Sequence, residues 1–113
     1  MSKRTLIDVY GPTALVTGAA SGIGAAFARQ LATQGFSLIM VDRDAPGLAA
    51  LAAQLRAGAH VSVDALPGDL TSARFVQQLT DLADTREIGL VVHSAGITSM
   101  GEFLSMPLEP QLK

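Results

Sequence analysis

The chain is 113 residues long, enough for one small domain, and 49% of it is apolar against 16% charged, so it carries the material of a core and is not a disordered composition. Eight basic and ten acidic side chains leave a formal charge of −2, which gives no general attraction to nucleic acid or to an anionic membrane surface. The lack of cysteine rules out disulfides, thiolate metal sites and cysteine nucleophiles and fits a cytoplasmic location, and the two histidines, His60 and His93, stand too far apart to suggest a metal site.

The basic start Met1-Ser2-Lys3-Arg4 is followed by no long apolar stretch, since Asp8 interrupts it, so neither a signal peptide nor a membrane span is expected. Thr13-Ala14-Leu15-Val16-Thr17 reads as a buried strand. Gly22 to Gln34 reads as a helix with Ile23, Phe27 and Leu31 along one face, and Gly35 suits a left-handed stop. Ser37-Leu38-Ile39-Met40-Val41 is a second strand, apolar on both faces. Asp44 and Pro46 mark the next helix start, with Leu48, Leu51, Ala52 and Leu55 inward and Gly58 at the end. Val61 to Ala65 is a third, weaker strand. Thr71 opens a helix with Phe75, Leu79 and Leu82 inward, and Ile88-Gly89-Leu90-Val91-Val92 is a fourth strand. From Gly96 to Met106 the pattern is irregular, and Pro107 suits the first turn of another helix.

Strands alternating with helices imply parallel pairing, and strands apolar on both faces must be covered on both sides by the crossover helices. Right-handed crossovers leave the strand order 3-2-1-4. The expected fold is therefore α/β: a Rossmann-type doubly wound parallel sheet, present as a truncated half, with residues 1–113 forming a single partial dinucleotide-binding domain.

Thr17-Gly18-Ala19-Ala20-Ser21-Gly22-Ile23-Gly24 leaves a buried strand and opens a helix. A helix N-terminus offers unpaired N–H donors and the positive end of the dipole, so it suits a pyrophosphate. A side chain at Gly18 or Gly22 would block the approach of phosphate to the backbone. Gly24 lets the helix pack closely on the first strand, and Ser21 adds a hydroxyl donor. An ordinary glycine-containing loop is the plain alternative, and the strand-to-helix context argues against it.

Asp42 closes the second strand about 20 residues beyond this turn, where a carboxylate receives the adenosine ribose hydroxyls and repels a 2′-phosphate. That favours NAD, while the neighbouring Arg43 keeps NADP open by offering a guanidinium to such a phosphate. Helix capping is the alternative for Asp42 and Asp44, and it suits Asp44 better. Asp69, before the next helix, is on its own residues equally well a helix cap or an acceptor for the adenine amino group, with Leu70 beside the ring. His93-Ser94-Ala95-Gly96 ends the fourth strand, where small residues let a ligand reach the sheet edge. His93 reads as a packed, hydrogen-bonded residue rather than a catalyst, and His60 has no motif around it.

Taken together, the Thr-Gly-x-x-x-Gly-Ile-Gly turn, Asp42 and Asp69-Leu70 resemble the short-chain dehydrogenase/reductase family, from about Tyr10 onward. The resemblance implies cofactor-binding roles for Gly18, Ser21, Gly22, Ile23, Gly24, Asp42, Arg43, Asp69, Leu70, Ser94, Ala95 and Gly96. It implies an oxidoreductase moving hydride between NAD, or NADP, and an alcohol or carbonyl substrate, with homo-oligomerisation in the full-length protein. The family usually has Asn-Asn-Ala-Gly at the fourth strand end, so His93-Ser94-Ala95-Gly96 replaces two amides. The family's Tyr-x-x-x-Lys pair and upstream Ser are not found: the sole tyrosine is Tyr10, and Ala14 stands four residues on. No catalytic or metal-binding residue is assigned, and the family's catalytic residues would fall after Lys113. The stretch by itself is expected to bind cofactor weakly, to catalyse nothing and to self-associate through the bare edge formed by Leu90, Val91 and Val92. The alternatives are a stand-alone nucleotide-binding module and an inactive remnant.

Overall fold

The computed structural model describes residues 6–58, 60–93 and 96–99. A short helix α1 (Leu6–Tyr10) leads into β1 (Thr13–Thr17), α2 (Gly22–Thr33), β2 (Ser37–Asp42), α3 (Ala45–Gly58), β3 (Val63–Pro67), α4 (Ala73–Arg86), β4 (Ile88–His93) and β5 (Gly96–Ser99). The first four strands pair in parallel in the order β3-β2-β1-β4, as expected. Burial explains why the strands are apolar without alternation. Ala14, Val16, Leu38, Met40, Leu90 and Val92 face α2 and α3, while Leu15, Ile39, Val41 and Val91 face the other way, toward Leu79 of α4. Among the described residues no helix is long and apolar enough to cross a membrane.

Four details depart from the sequence reading. First, the β4 edge is covered. β5 pairs with it antiparallel, setting Val91 opposite Thr98 and Val92 opposite Ile97. The β4 backbone groups need partners, and the β-branched Ile97 and Thr98 lie close behind it in sequence, so a strand of four residues forms where no regular structure was expected. Second, β3 lies two residues later than expected. A two-residue shift keeps every side chain on its face, so the apolar pattern cannot distinguish the two positions. Pairing with β2 decides it, with Leu38 opposite Val63 and Asp42 opposite Pro67.

Third, Ile23 does not share the buried face of α2. It is 75% exposed, and the helix meets the sheet through Gly24, Ala25, Ala28, Leu31 and Ala32. The small residues let α2 sit close to β1, and that rotation turns Ile23 outward. Fourth, α4 starts at Ala73 rather than Thr71, because Ser72 is its N-cap and accepts the Phe75 N–H at 3.3 Å.

Helix α2 stops where expected. Gly35 is left-handed at φ 99°; its N–H bonds to the Ala32 carbonyl and the Phe36 N–H reaches back to that of Leu31, each at 3.1 Å. This is a Schellman stop, and its apolar clasp is Leu31 with the fully buried Phe36, which then feeds β2.

Candidate functional site

The glycine-rich turn begins where β1 ends. Gly18 is left-handed at φ 68°, which reverses the chain direction within one residue. Ser21 is the N-cap of α2, and its hydroxyl serves both sides of the turn. It donates to the Gly18 carbonyl at 2.7 Å and accepts the Gly24 N–H at 3.3 Å. The Ser21 N–H also reaches the Gly18 carbonyl, at 3.1 Å. Gly24 packs so tightly on this turn that a Cβ there would strike the Gly18 carbonyl oxygen. Gly22 is the opposite case: a Cβ would meet nothing within 4 Å.

The amides of the turn divide into used and open donors. Ala19 N–H bonds to the Val41 carbonyl at 3.1 Å, and Ala20 N–H to Asp42 Oδ2 at 3.0 Å. The Gly22 and Ile23 amides, first in the helix, meet no acceptor among the described residues. Two donors at the positive end of a 12-residue helix therefore remain open, and a side chain at Gly22 would have clear space. A cleft of about 120 Å³ adjoins them, lined by Thr17, Gly18, Ser21, Ile23, Gly24, Val92 and His93. It lies at the C-terminal ends of β1 and β4, where neighbouring crossovers leave the sheet in opposite directions.

Asp42, half-buried at the end of β2, binds the turn to the next helix start. Besides Ala20 N–H on Oδ2, it takes the Asp44 N–H on Oδ1 at 2.9 Å. A carboxylate offers about four lone-pair sites, so acceptor capacity remains. Asp44 caps α3, accepting the Gly47 N–H at 3.1 Å. Arg43 forms an ion pair with Asp69, Nη1 to Oδ2, at 3.6 Å. Asp69 Oδ1 accepts the Thr71 N–H at 2.9 Å. The hydrogen bonds from Thr71, with the Arg43 charge adding to them, hold the Asp69 carboxyl below the usual aspartate value. Leu70 is half-buried and packs against the apolar cluster under α4.

Of the sequence-predicted residues, Gly18, Ser21, Gly22, Ile23 and Gly24 thus come together on one turn with Asp42 bonded to it, and Arg43 and Asp69 lie alongside. Ser94 and Ala95, like the helix expected from Pro107, lie outside the described residues; Gly96 opens β5 opposite His93. The sequence reading missed the tie between Asp42 and Ala20 and the Arg43–Asp69 pair, both of which join residues more than 20 positions apart. It also left His93 and Val92 out of the cleft lining; their position at a strand end beside β1 was the available signal.

A family model described as short chain dehydrogenase matches residues 12–111. D-threitol dehydrogenase from Mycolicibacterium smegmatis is 42% identical over 103 residues, covering 88% of this chain and 38% of that protein. A solved short-chain dehydrogenase from Sphingobium yanoikuyae, in complex with NADPH, superposes with a TM-score of 0.66 at 43% identity over 72% of this chain and 32% of its own. A short-chain dehydrogenase/reductase from Burkholderia phymatum in complex with NAD gives a TM-score of 0.65 at 34% identity, over 73% of this chain and 30% of its own. The chain therefore spans about a third of the length of these relatives. With the family pattern running through residues 12–111, the chain belongs to the short-chain dehydrogenase family.

Proposed function

We propose that this chain is the dinucleotide-binding portion of an NAD(P)-dependent oxidoreductase acting on an alcohol or carbonyl compound, with NAD the preferred cofactor. The observation that carries the reading is the pair of open amides at Gly22 and Ile23, adjacent to a carboxylate that closes the neighbouring strand. The diphosphate bridge is received by those amides, with the α2 dipole adding to the attraction. Asp42 accepts from the adenosine ribose hydroxyls while keeping its bonds to Ala20 and Asp44. Asp69 and Leu70 border the adenine, and Ser94, Ala95 and Gly96, which follow β4 in sequence, are assigned to the cofactor as the family pattern implies. When bound, the cofactor supplies hydride transfer to or from carbon. The 113 residues contain no Tyr-x-x-x-Lys pair to move the accompanying proton, so this stretch contributes binding and orientation.

The test is a calorimetric titration with NAD and NADP of the wild-type chain and of Gly22→Asp. Gly22 has room for a side chain, so the substitution leaves the fold intact, and an acid in the first helical turn favours the helix. It also places a negative charge in front of the open amides. NAD binding is expected to weaken at least about tenfold, the effect of one lost charge-assisted contact, with the unfolding midpoint unchanged or raised. Equal NAD affinity in the two proteins would remove the turn from the site.

A further inference from the structure

Arg43 and Asp69 meet just past the paired ends of β2 and β3, where Gly68 N–H still bonds to the Asp42 carbonyl at 3.0 Å. Asp69 is presented by its own turn: Thr71 N–H holds Oδ1, and the Ser72 N–H bonds to the Asp69 carbonyl at 3.0 Å, which leaves Oδ2 for Arg43. Asp42, Arg43, Asp44 and Asp69 stand at this corner, three negative and one positive. Arg43 is the sole cation among them, and a carboxylate already neutralises it.

We propose that Asp69 is a specificity-determining residue for the nucleotide, acting through Arg43. This rests on the dinucleotide reading above. A ribose seated at Asp42 would bring any 2′-phosphate to this corner. The phosphate would need the Arg43 guanidinium to offset the Asp42 charge. With Asp69 paired to that guanidinium, the 2′-phosphate meets the Asp42, Asp44 and Asp69 carboxylates while Arg43 is already engaged, and the unphosphorylated ribose is selected. Asp69 is thus a positioning residue for Arg43. Its carboxyl is charged throughout the neutral range, and the hydrogen bonds from Thr71 hold its pKa lower still. The pair is exposed, with side chains 77% and 41% accessible, so the effect is one of several-fold selectivity and is screened by salt.

The experiment uses half-nucleotides that need only the adenosine end of the site: AMP and adenosine 2′,5′-bisphosphate, titrated into the whole chain at low ionic strength and followed by amide NMR shifts. Asp69→Asn keeps an oxygen for the Thr71 N–H and removes the charge. It is expected to raise bisphosphate affinity relative to AMP about fivefold, the scale of an exposed charge pair. Arg43→Gln alone leaves the ratio within about twofold, because the guanidinium is already engaged. Arg43→Gln combined with Asp69→Asn returns the ratio to near wild type. An Asp69→Asn shift of equal size with and without Arg43 would show direct repulsion and overturn the proposal, as would no shift at all. If Asp69→Asn fails to fold, raised salt stands in for it: the wild-type ratio of bisphosphate to AMP must respond differently from that of Arg43→Gln, and an identical response overturns the proposal. A wild-type chain that binds neither probe contradicts the dinucleotide reading itself, a different failure from an unchanged ratio.

Discussion

Gly24 and Gly22 sit two residues apart on one turn and respond oppositely to an added carbon. At Gly24 the new Cβ runs into the Gly18 carbonyl, a backbone atom fixed by two hydrogen bonds from Ser21, and the turn must open to admit it. Gly24→Ala should therefore lose about 1–3 kcal/mol, the usual cost of overpacking, despite alanine's higher helix propensity. Urea midpoints of the two proteins check this. Asp69 gives a prediction in pH. Its folded-state carboxyl is held below the unfolded value, first by the Thr71 hydrogen bonds and then by Arg43. The stability it contributes is therefore present above the ordinary aspartate range, near pH ~4, and is lost as the pH falls through the folded-state value. Asp69→Asn should flatten the acid limb of the stability profile below about pH 4 and leave the neutral-pH slope unchanged; melting temperatures across an acid series measure it.

Helix endings show how local chemistry carries the elements. At the end of α2 a left-handed position is filled by Gly35 (φ 99°), whereas at the end of α4 it is filled by Glu87 (φ 52°). A Cβ in that region costs about 1–2 kcal/mol. Gly35→Ala should destabilise the chain by about that amount and Glu87→Gly should stabilise it by up to about 1 kcal/mol, both read from denaturant midpoints. The same elements explain what the sequence revealed. Apolar runs without alternation exposed the parallel strands, and Gly35 and Asp44 marked their helix boundaries by chemistry that acts within a few residues. The face of α2 was misread at Ile23, which fits a helical period with the inward Phe27 and Leu31, while the rest of the buried stripe is glycine and alanine, too small to register as apolar anchors. β5 escaped notice because four residues are too few for periodicity, and its formation depends on the groups β4 leaves unpaired. The turn at Gly18–Gly24 was legible because its constraint is local. Its ties to Asp42, and those of Arg43 to Asp69, depend on which strand ends adjoin, which only the assembled sheet determines.

Across the whole molecule, the sheet brings the C-terminal ends of β1, β2 and β4 to one side, and the start of α2 opens among them. One face of the sheet is closed by α2 and α3 through a continuous apolar cluster; the other is closed by α4 through a smaller one. The loop end of this arrangement can be rigid because Ala19 and Ala20 are bonded to the end of β2, so the open amides are held in place before a ligand arrives. The most direct test is an amide NMR titration of the whole chain with NAD. The account predicts that the largest shift changes fall on Gly18, Gly22, Ile23, Gly24 and Asp42 while α3 and the core strands stay still. Saturable shifts centred elsewhere, or a spectrum that NAD leaves untouched at millimolar concentration, would contradict it.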